Sequence, residues 1–230
     1  MRHLLLLLAG LAQGQALYAA EPPATADVAA RYTTTVCGQP CDTPHARQWY
    51  FWRGANRVEI RDAGNALGEL WKRDGRGRLS YTYLEPAAKR GIEYNPTDLK
   101  IIGQTRSWPR LAGVVDPADL AKLEAAGETE VLGHKAVIYR GALEGKQTEI
   151  VWLPDLALAA RASYTSPQGR TVSELQAFLA GPEAPLPLDD SRLADFQLVD
   201  FTDVGDMETS PPMAWLKQAR AAPGHEHHDH

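Results

Sequence analysis

The chain has 230 residues, a formal net charge of −5 and 44% hydrophobic residues. This size suits one domain with a substantial core, once a short leader has been removed. The acidic total argues against nucleic acid as a partner, because proteins that bind nucleic acid favour a basic surface. Beyond the leader, no segment approaches the roughly 20 apolar residues of a transmembrane helix, so we expect none.

Residues 1–20 have the pattern of a cleaved secretory signal. Arg2 supplies the positive charge, and the apolar run 4–12 follows it. The cysteine of a lipoprotein signal is missing from this region. The sequence therefore predicts a protein that is exported to the periplasm and is soluble after the signal is removed.

Charge is distributed unevenly along the chain. Residues 45–90 contain ten Lys/Arg and five Asp/Glu, whereas residues 181–230 contain three basic and ten acidic residues. One interpretation is that the acidic region lies against the arginine-rich region of the same molecule. The alternative is that the basic region attracts an anionic lipid or protein.

Residues 28–94 are typical of antiparallel hairpins. The segment 57–61 alternates apolar and polar side chains as a half-buried strand does, and 74–77 (DGRG) is a strong turn signal. Consecutive hairpins predict an antiparallel meander rather than a parallel sheet.

Short helices are predicted next. Asn95 and Asp116 each precede a proline, which is the pattern of an N-cap followed by proline at the first helical position. The second helix is predicted to continue until Gly127. Further strands are expected at 128–132, 136–143, 146–153, 156–164 and 171–179, followed by a connector at 181–190 and an amphipathic helix from Ser210 to Arg220.

The run 49–52 (WYFW) places large aromatic side chains on both faces of one strand. A sheet with one solvated face would alternate cleanly, so helices or a ligand should cover the second face. The candidates for lining a concave, apolar ligand-binding groove are Phe51, Tyr81, Tyr83 and Trp152. The alternative is an ordinary core packed between sheet and helices.

The segment Gly133–Leu158 (GHKAVIYRGALEGKQTEIVWLPDLAL) resembles the periplasmic LolA/LolB-like half-barrel proteins. With the hairpins and helices before it, the resemblance spans residues 28–179. It implies an α+β fold in which a strongly curved antiparallel β-sheet (a half-barrel) is covered by a few helices. Members of that superfamily bind acyl chains or act as protein-sensing modules. This chain differs from them in its cysteine pair and its acidic C-terminal extension.

The predicted organisation has four parts. Residues 1–20 form the signal peptide and 21–180 the half-barrel domain. Residues 181–222 form an acidic extension that contains the amphipathic helix, and 223–230 form a flexible, histidine-rich tail.

The only two cysteines, Cys37 and Cys41, lie in CGQPC. In an oxidising compartment they are expected to form a disulfide. Such a small loop would stabilise the fold by about 2 kcal/mol on the chain-entropy model. An alternative is a copper site made of both cysteines and His45, although the βαβ setting of such copper-delivery proteins is missing.

Four tail histidines, His225, His227, His228 and His230, alternate with acidic residues. Imidazole suits zinc, copper(II) and nickel, so the tail is a candidate site for a divalent metal. The acidic run 200–208 lacks the ligand spacing of a calcium loop, and turn formation and helix capping are the expected roles.

No catalytic motif is present, and outside the signal and the tail only His45 and His134 could support histidine acid–base chemistry. We therefore expect a non-enzymatic carrier that requires no cofactor and binds a lipid or another apolar ligand. The alternatives are a metal accessory protein that uses the tail and a protein-interaction or envelope-sensing module.

Overall fold

The computed structural model describes residues 27–104, 106–182, 184–207 and 215. Its twelve strands are β1 Val28–Gly38, β2 His45–Gly54, β3 Arg57–Asp62, β4 Gly68–Arg73, β5 Leu79–Glu85, β6 Arg90–Tyr94, β7 Glu124–Val131, β8 His134–Leu143, β9 Lys146–Leu153, β10 Leu158–Ser166, β11 Gly169–Phe178 and β12 Gln197–Asp200. Its helices are α1 Pro96–Ile101, α2 Trp108–Gly113, α3 Pro117–Leu120, α4 Asp190–Leu193 and α5 Val204–Met207, with 3-10 turns at Pro86–Ala88 and Phe201–Asp203.

All twelve strands belong to one open sheet, in the order β12-β6-β5-β4-β3-β2-β1-β11-β10-β9-β8-β7. The hairpins predicted between residues 28 and 94 are present, and each pairs antiparallel with its neighbour. β1 closes the gap to the second group of strands by pairing with β11. The α+β class and the mostly antiparallel sheet are therefore confirmed.

The helix predicted from Asp116 to Gly127 is shorter than expected. It ends at Leu120, and β7 has already begun at Glu124. Gly127 lies inside that strand, where the register with β8 shifts. Pairing with β8 therefore overrides the local helical preference of residues 121–126, as tertiary context commonly does.

One face of the sheet, which we call the inner face, carries the main core. The register places Phe51 opposite Ile60, Trp71 opposite Tyr81, and Tyr83 opposite Ile92. Paired residues point to the same side of a sheet, so these side chains share one face. The helical segment between β6 and β7 contributes Leu99, Trp108, Leu111 and Ala112 to the same cluster.

The opposite, outer face is covered by the C-terminal segment 184–196. Leu188 and Leu193 pack there against Leu70 and Leu84. The backbone N–H of Leu188 donates to the buried carboxylate of Glu59, at 2.8 Å. Trp52, on the outer side of β2, is buried under Arg61, whose guanidinium lies 4.5 Å from the ring centre and donates to the backbone carbonyl of Leu186 at 2.8 Å. The segment thus helps to cover an aromatic side chain on the second face of β2.

The acidic C-terminal region lies against the arginine-rich hairpins. Asp190 forms ion pairs with Lys72 at 3.0 Å and with Arg57 at 3.6 Å, and Asp195 pairs with Lys89 at 3.4 Å. The intramolecular interpretation of the charge asymmetry is thus confirmed. Beyond this segment, β12 joins the same sheet by pairing in parallel with β6.

The signal peptide, most of the amphipathic helix predicted at Ser210–Arg220 and the histidine tail lie outside the described residues. Trp215 is helical and buried, and the guanidinium of Arg90 lies 4.6 Å from the centre of its ring. Within the described part of the chain, no helix has the length and apolar character needed to cross a membrane.

Candidate functional site

The inner face holds two groups of packed aromatic rings. Tyr32 stacks on Trp49 with ring centres 4.5 Å apart, and Trp71 stacks on Tyr81 at the same distance. Tyr94 continues the series, 5.3 Å from Tyr81. These rings form a rigid apolar layer. Trp49 is the one of the five that lines the cavity between this face and the helical segment.

The four aromatic residues predicted to line a groove are all buried in this core. Phe51, Tyr81 and Tyr83 belong to the main cluster, whereas Trp152 packs in a second cluster with residues around α3, such as Leu120. None of the four is among the residues that line the cavity described next. Direct ligand contact by these side chains stays a prediction.

A cavity of about 1010 Å³ lies between the inner face and the helical segment. Its size is at the upper end of the roughly 300–1,000 Å³ typical of small-molecule sites. Apolar side chains from both sides line it: Val36, Trp49, Ile60, Leu111, Val114 and Leu143. The sheet therefore supplies one wall of the cavity, and α2 with its flanking residues supplies another.

Charged residues lie where the cavity meets solvent. Asp119 accepts from Arg110 at 2.7 Å and from Lys122 at 2.8 Å, and both basic side chains are about half exposed or more. Lys146, on the first position of β9, also lines the cavity. Burial raises the pKa of the nearby Tyr164 hydroxyl, which therefore stays protonated at neutral pH.

Two N-caps hold the helical wall in place. The Asp116 carboxylate caps α3 by accepting from the backbone N–H of Ala118 at 3.0 Å, and it accepts from the Ser107 hydroxyl at 2.6 Å. Ser107 is in turn the N-cap of α2. The hydrogen bond from Ser107 is the main reason why the pKa of Asp116 is lowered.

Arg53 joins that wall to the sheet. It is buried, and its guanidinium donates to the backbone carbonyls of Ala112 at 2.7 Å, Leu156 at 2.6 Å and Ala157 at 3.1 Å. Burial lowers the pKa of this guanidinium, although arginine remains charged at neutral pH. One side chain thus connects β2, α2 and the turn between β9 and β10.

Cys37 and Cys41 form the expected disulfide, with an S–S distance of 2.03 Å. The bond uses both thiols, so the alternative copper site with His45 is wrong. Cys37 and Gly38 line the cavity, which places the disulfide loop at its boundary.

The other predicted polar sites have structural partners or lie elsewhere. Asp200 caps the 3-10 turn after β12 by accepting from the N–H of Thr202, as the capping interpretation predicted. His134 hydrogen-bonds Asp155 at 2.6 Å. The described residues contain no group of His, Cys, Asp or Glu that could hold a metal. Metal binding by His225, His227, His228 and His230 stays a prediction, since these residues are not among those described.

Sequence reasoning missed most of the residues that line the cavity. The sequence predicts the caps of the helical segment, but it does not predict that Arg106, Arg110, Leu111 and Val114 all line the cavity. The two arginines of this segment, next to an apolar run at 111–114, were the available signal. Their position over the sheet depends on long-range packing, which local patterns do not show.

No protein-family model and no curated protein matches the chain. Among solved structures, PNGF-II is 10% identical with a TM-score of 0.43, and the match covers 85% of this chain and 34% of PNGF-II. MucB is 17% identical with a TM-score of 0.39, over 75% of this chain and 59% of MucB. A Vibrio parahaemolyticus domain described as an outer membrane lipoprotein-sorting protein is 6% identical with a TM-score of 0.30, over 73% of this chain and 88% of that domain.

This chain therefore spans about a third of the length of PNGF-II. All three TM-scores are below 0.5, so it is the residues of this chain that indicate its ligand and role.

Proposed function

We propose that this protein is an exported, periplasmic binding module that carries a lipid-like or other apolar ligand in the cavity between the inner face and α2. The observation that supports this most directly is the cavity of about 1010 Å³ with apolar residues from both the sheet and the helical segment in its lining. Burying a ligand's apolar surface there would contribute about 25 cal/mol per Å².

A half-barrel shape would provide such a cavity, and one contact favours it. Arg53 of β2 reaches the turn between β9 and β10, although β1 and β11 separate β2 from β10. Three strand spacings in a flat sheet amount to roughly 14 Å, which is more than an arginine side chain spans. Strong bending of the sheet toward its inner face, as in a half-barrel, would account for this contact.

The first test is native purification of the mature protein, followed by extraction and mass spectrometry, and by titration with added amphiphiles. We expect a co-purifying apolar molecule or saturable binding. The variant Thr171→Trp would place a large side chain in the cavity from β11, and binding should be lost. Val172→Trp is the matched control, because the adjacent residue of a strand points to the other face. A native protein that binds no amphiphile would contradict the proposal.

A second candidate is a protein-interaction module, and the edge strand β7 favours it. Residues 124–130 are exposed along this strand, which ends the sheet and could pair with an extended segment of a partner. Among the structural matches, MucB from Pseudomonas aeruginosa has been solved in complex with MucA. Crosslinking in intact cells tests this candidate: a partner captured through β7 would support it, and recovery of the uncrosslinked chain alone would count against it.

A further inference from the structure

We propose that the ligand of the cavity is an anionic amphiphile, whose carboxylate or phosphate head group binds the basic residues at the solvent side while its apolar chain lies against the inner face. This inference rests on the proposed function and specifies its class of ligand. The charged residues that line the cavity support this inference.

The lining is basic although the whole chain is acidic. Where the helical segment and the β8–β9 hairpin meet the cavity, the lining contains Arg106, Arg110, Lys122 and Lys146 but only Asp119 and Glu144 as acids. The formal charge of the whole chain is −5. The local excess of positive charge is therefore a property of this site, and it would concentrate anions there.

The acids present do not balance the bases. One carboxylate, that of Asp119, serves both Arg110 and Lys122. The hydrogen bond that Lys122 donates to Asp119 is also the main reason why the pKa of Lys122 is raised, so its ammonium is charged at neutral pH. Asp119, Arg110 and Lys122 together therefore carry one net positive charge at the cavity.

Lys146 and Arg106 add to this excess. Within the described residues, Lys146 forms no ion pair, and it stands opposite Leu143 at the start of the β8–β9 hairpin. Arg106 is 3.8 Å from the carboxylate of Glu69, at the outer limit of an ion pair, and its guanidinium lies over Trp71. Both cations can approach a head group without first breaking a short, well-formed salt bridge.

The apolar part of the lining fixes the orientation of the ligand. Trp49 and Ile60 belong to the inner face, and Leu111 and Val114 to the helical wall. A chain placed between these walls puts its polar end among the basic residues, where it is partly in water. Neutral amphiphiles could bury the same chain but would gain nothing from the charges.

The experiment compares three probes with the same alkyl chain: dodecanoate, dodecyl phosphate and the neutral 1-dodecanoylglycerol. Each is titrated calorimetrically into the full mature chain at low salt, below its micelle concentration. We expect the anionic probes to bind about tenfold more tightly than the neutral one, which corresponds to about 1.4 kcal/mol. The advantage should shrink as salt is added, because the charges are partly exposed.

The double variant Arg106→Gln/Lys146→Gln should remove most of this advantage and leave binding of the neutral probe unchanged. The matched control is Arg76→Gln/Lys135→Gln, which removes two basic residues outside the cavity lining. A response to dodecyl phosphate alone would identify the head group as a phosphate, and a response to both anions would show that charge alone suffices.

Equal affinity for all three probes, unchanged in the double variant, would overturn this inference and leave the proposed function standing. Failure of every probe to bind the folded protein would contradict both. Thermal unfolding of each variant confirms that the comparison is made between folded proteins.

Discussion

Single carboxylates and guanidinium groups connect parts of this molecule that are distant in sequence. Asp116 accepts from Ser107 and from the N–H of Ala118, so one side chain caps α3 and holds the residue that caps α2. A cap alone contributes about 1 kcal/mol. Here a second, partly buried hydrogen bond depends on the same carboxylate.

Replacing Asp116 by Ala should therefore lower the free energy of unfolding by about 2 kcal/mol, above the usual effect of a lost cap. Chemical denaturation measures this, and Asp116→Asn, which keeps an acceptor, should cost less. A double-mutant cycle with Ser107→Ala should show coupling between the two residues. Strictly additive effects would contradict the shared role.

The lowered pKa of Asp116 predicts the sign of a pH dependence. Its folded pKa is below the unfolded value, so its contribution to stability is fully present above the unfolded pKa of about 3.9 and is lost as pH falls through the folded pKa. The difference in unfolding free energy between wild type and Asp116→Asn should therefore be constant near neutral pH and shrink in acid. A difference that grew in acid would contradict this.

The disulfide is a further feature at the scale of single residues. Cys37→Ser/Cys41→Ser should lower the free energy of unfolding by about 2 kcal/mol, because the closed loop is short. Addition of a reductant should destabilise the wild type to the same extent and leave the double variant unchanged, as denaturation with and without reductant would show. Sensitivity of the double variant to reductant would contradict the assignment.

At the scale of elements, local sequence patterns were sufficient to predict the pairing of strands that follow each other directly in the chain. The hairpins β2–β3–β4–β5–β6 were predictable because alternation and turn residues fix their register. The same register correctly places Phe51, Tyr81 and Tyr83 on one face. The aromatic run predicted that the second face is covered, but neither the parallel pairing of β12 with β6 nor the contacts of Leu188 were predictable, since both join residues more than 100 positions apart.

The C-terminal segment 184–196 should behave as part of the core. Leu188→Ala and Leu193→Ala should each lower the free energy of unfolding by roughly 2 kcal/mol or more, the lower end of the range for buried leucines. Leu186→Ala is the control in the same segment, because Leu186 is 56% exposed, and it should have little effect. Denaturant titration of the three variants, together with hydrogen exchange at Glu59 and its neighbours, checks the expectation. Equal effects at all three positions would rule out a specific packing role.

At the scale of the whole molecule, Arg53 couples the two halves of the sheet and the helical wall. Arg53→Met would leave the carbonyls of Ala112, Leu156 and Ala157 without this donor. We expect a loss of about 3 kcal/mol or more, because each buried carbonyl without a partner costs about 1–3 kcal/mol. Hydrogen exchange should increase in α2 and in the β9–β10 turn, and the exposed Arg76→Met provides the control. Increased exchange confined to β2 would contradict the coupling.

The cover of the outer face also determines the order in which the fold can be completed. A chain is synthesised from its N-terminus, so Leu70 and Leu84 precede Leu188 and Leu193 by more than 100 residues. Until the later segment is available, Leu70 and Leu84 lack the apolar partners that bury them in the folded protein. A chaperone that holds unfolded chains would bind at these leucines. Packing of the last fifth of the chain on them would displace it.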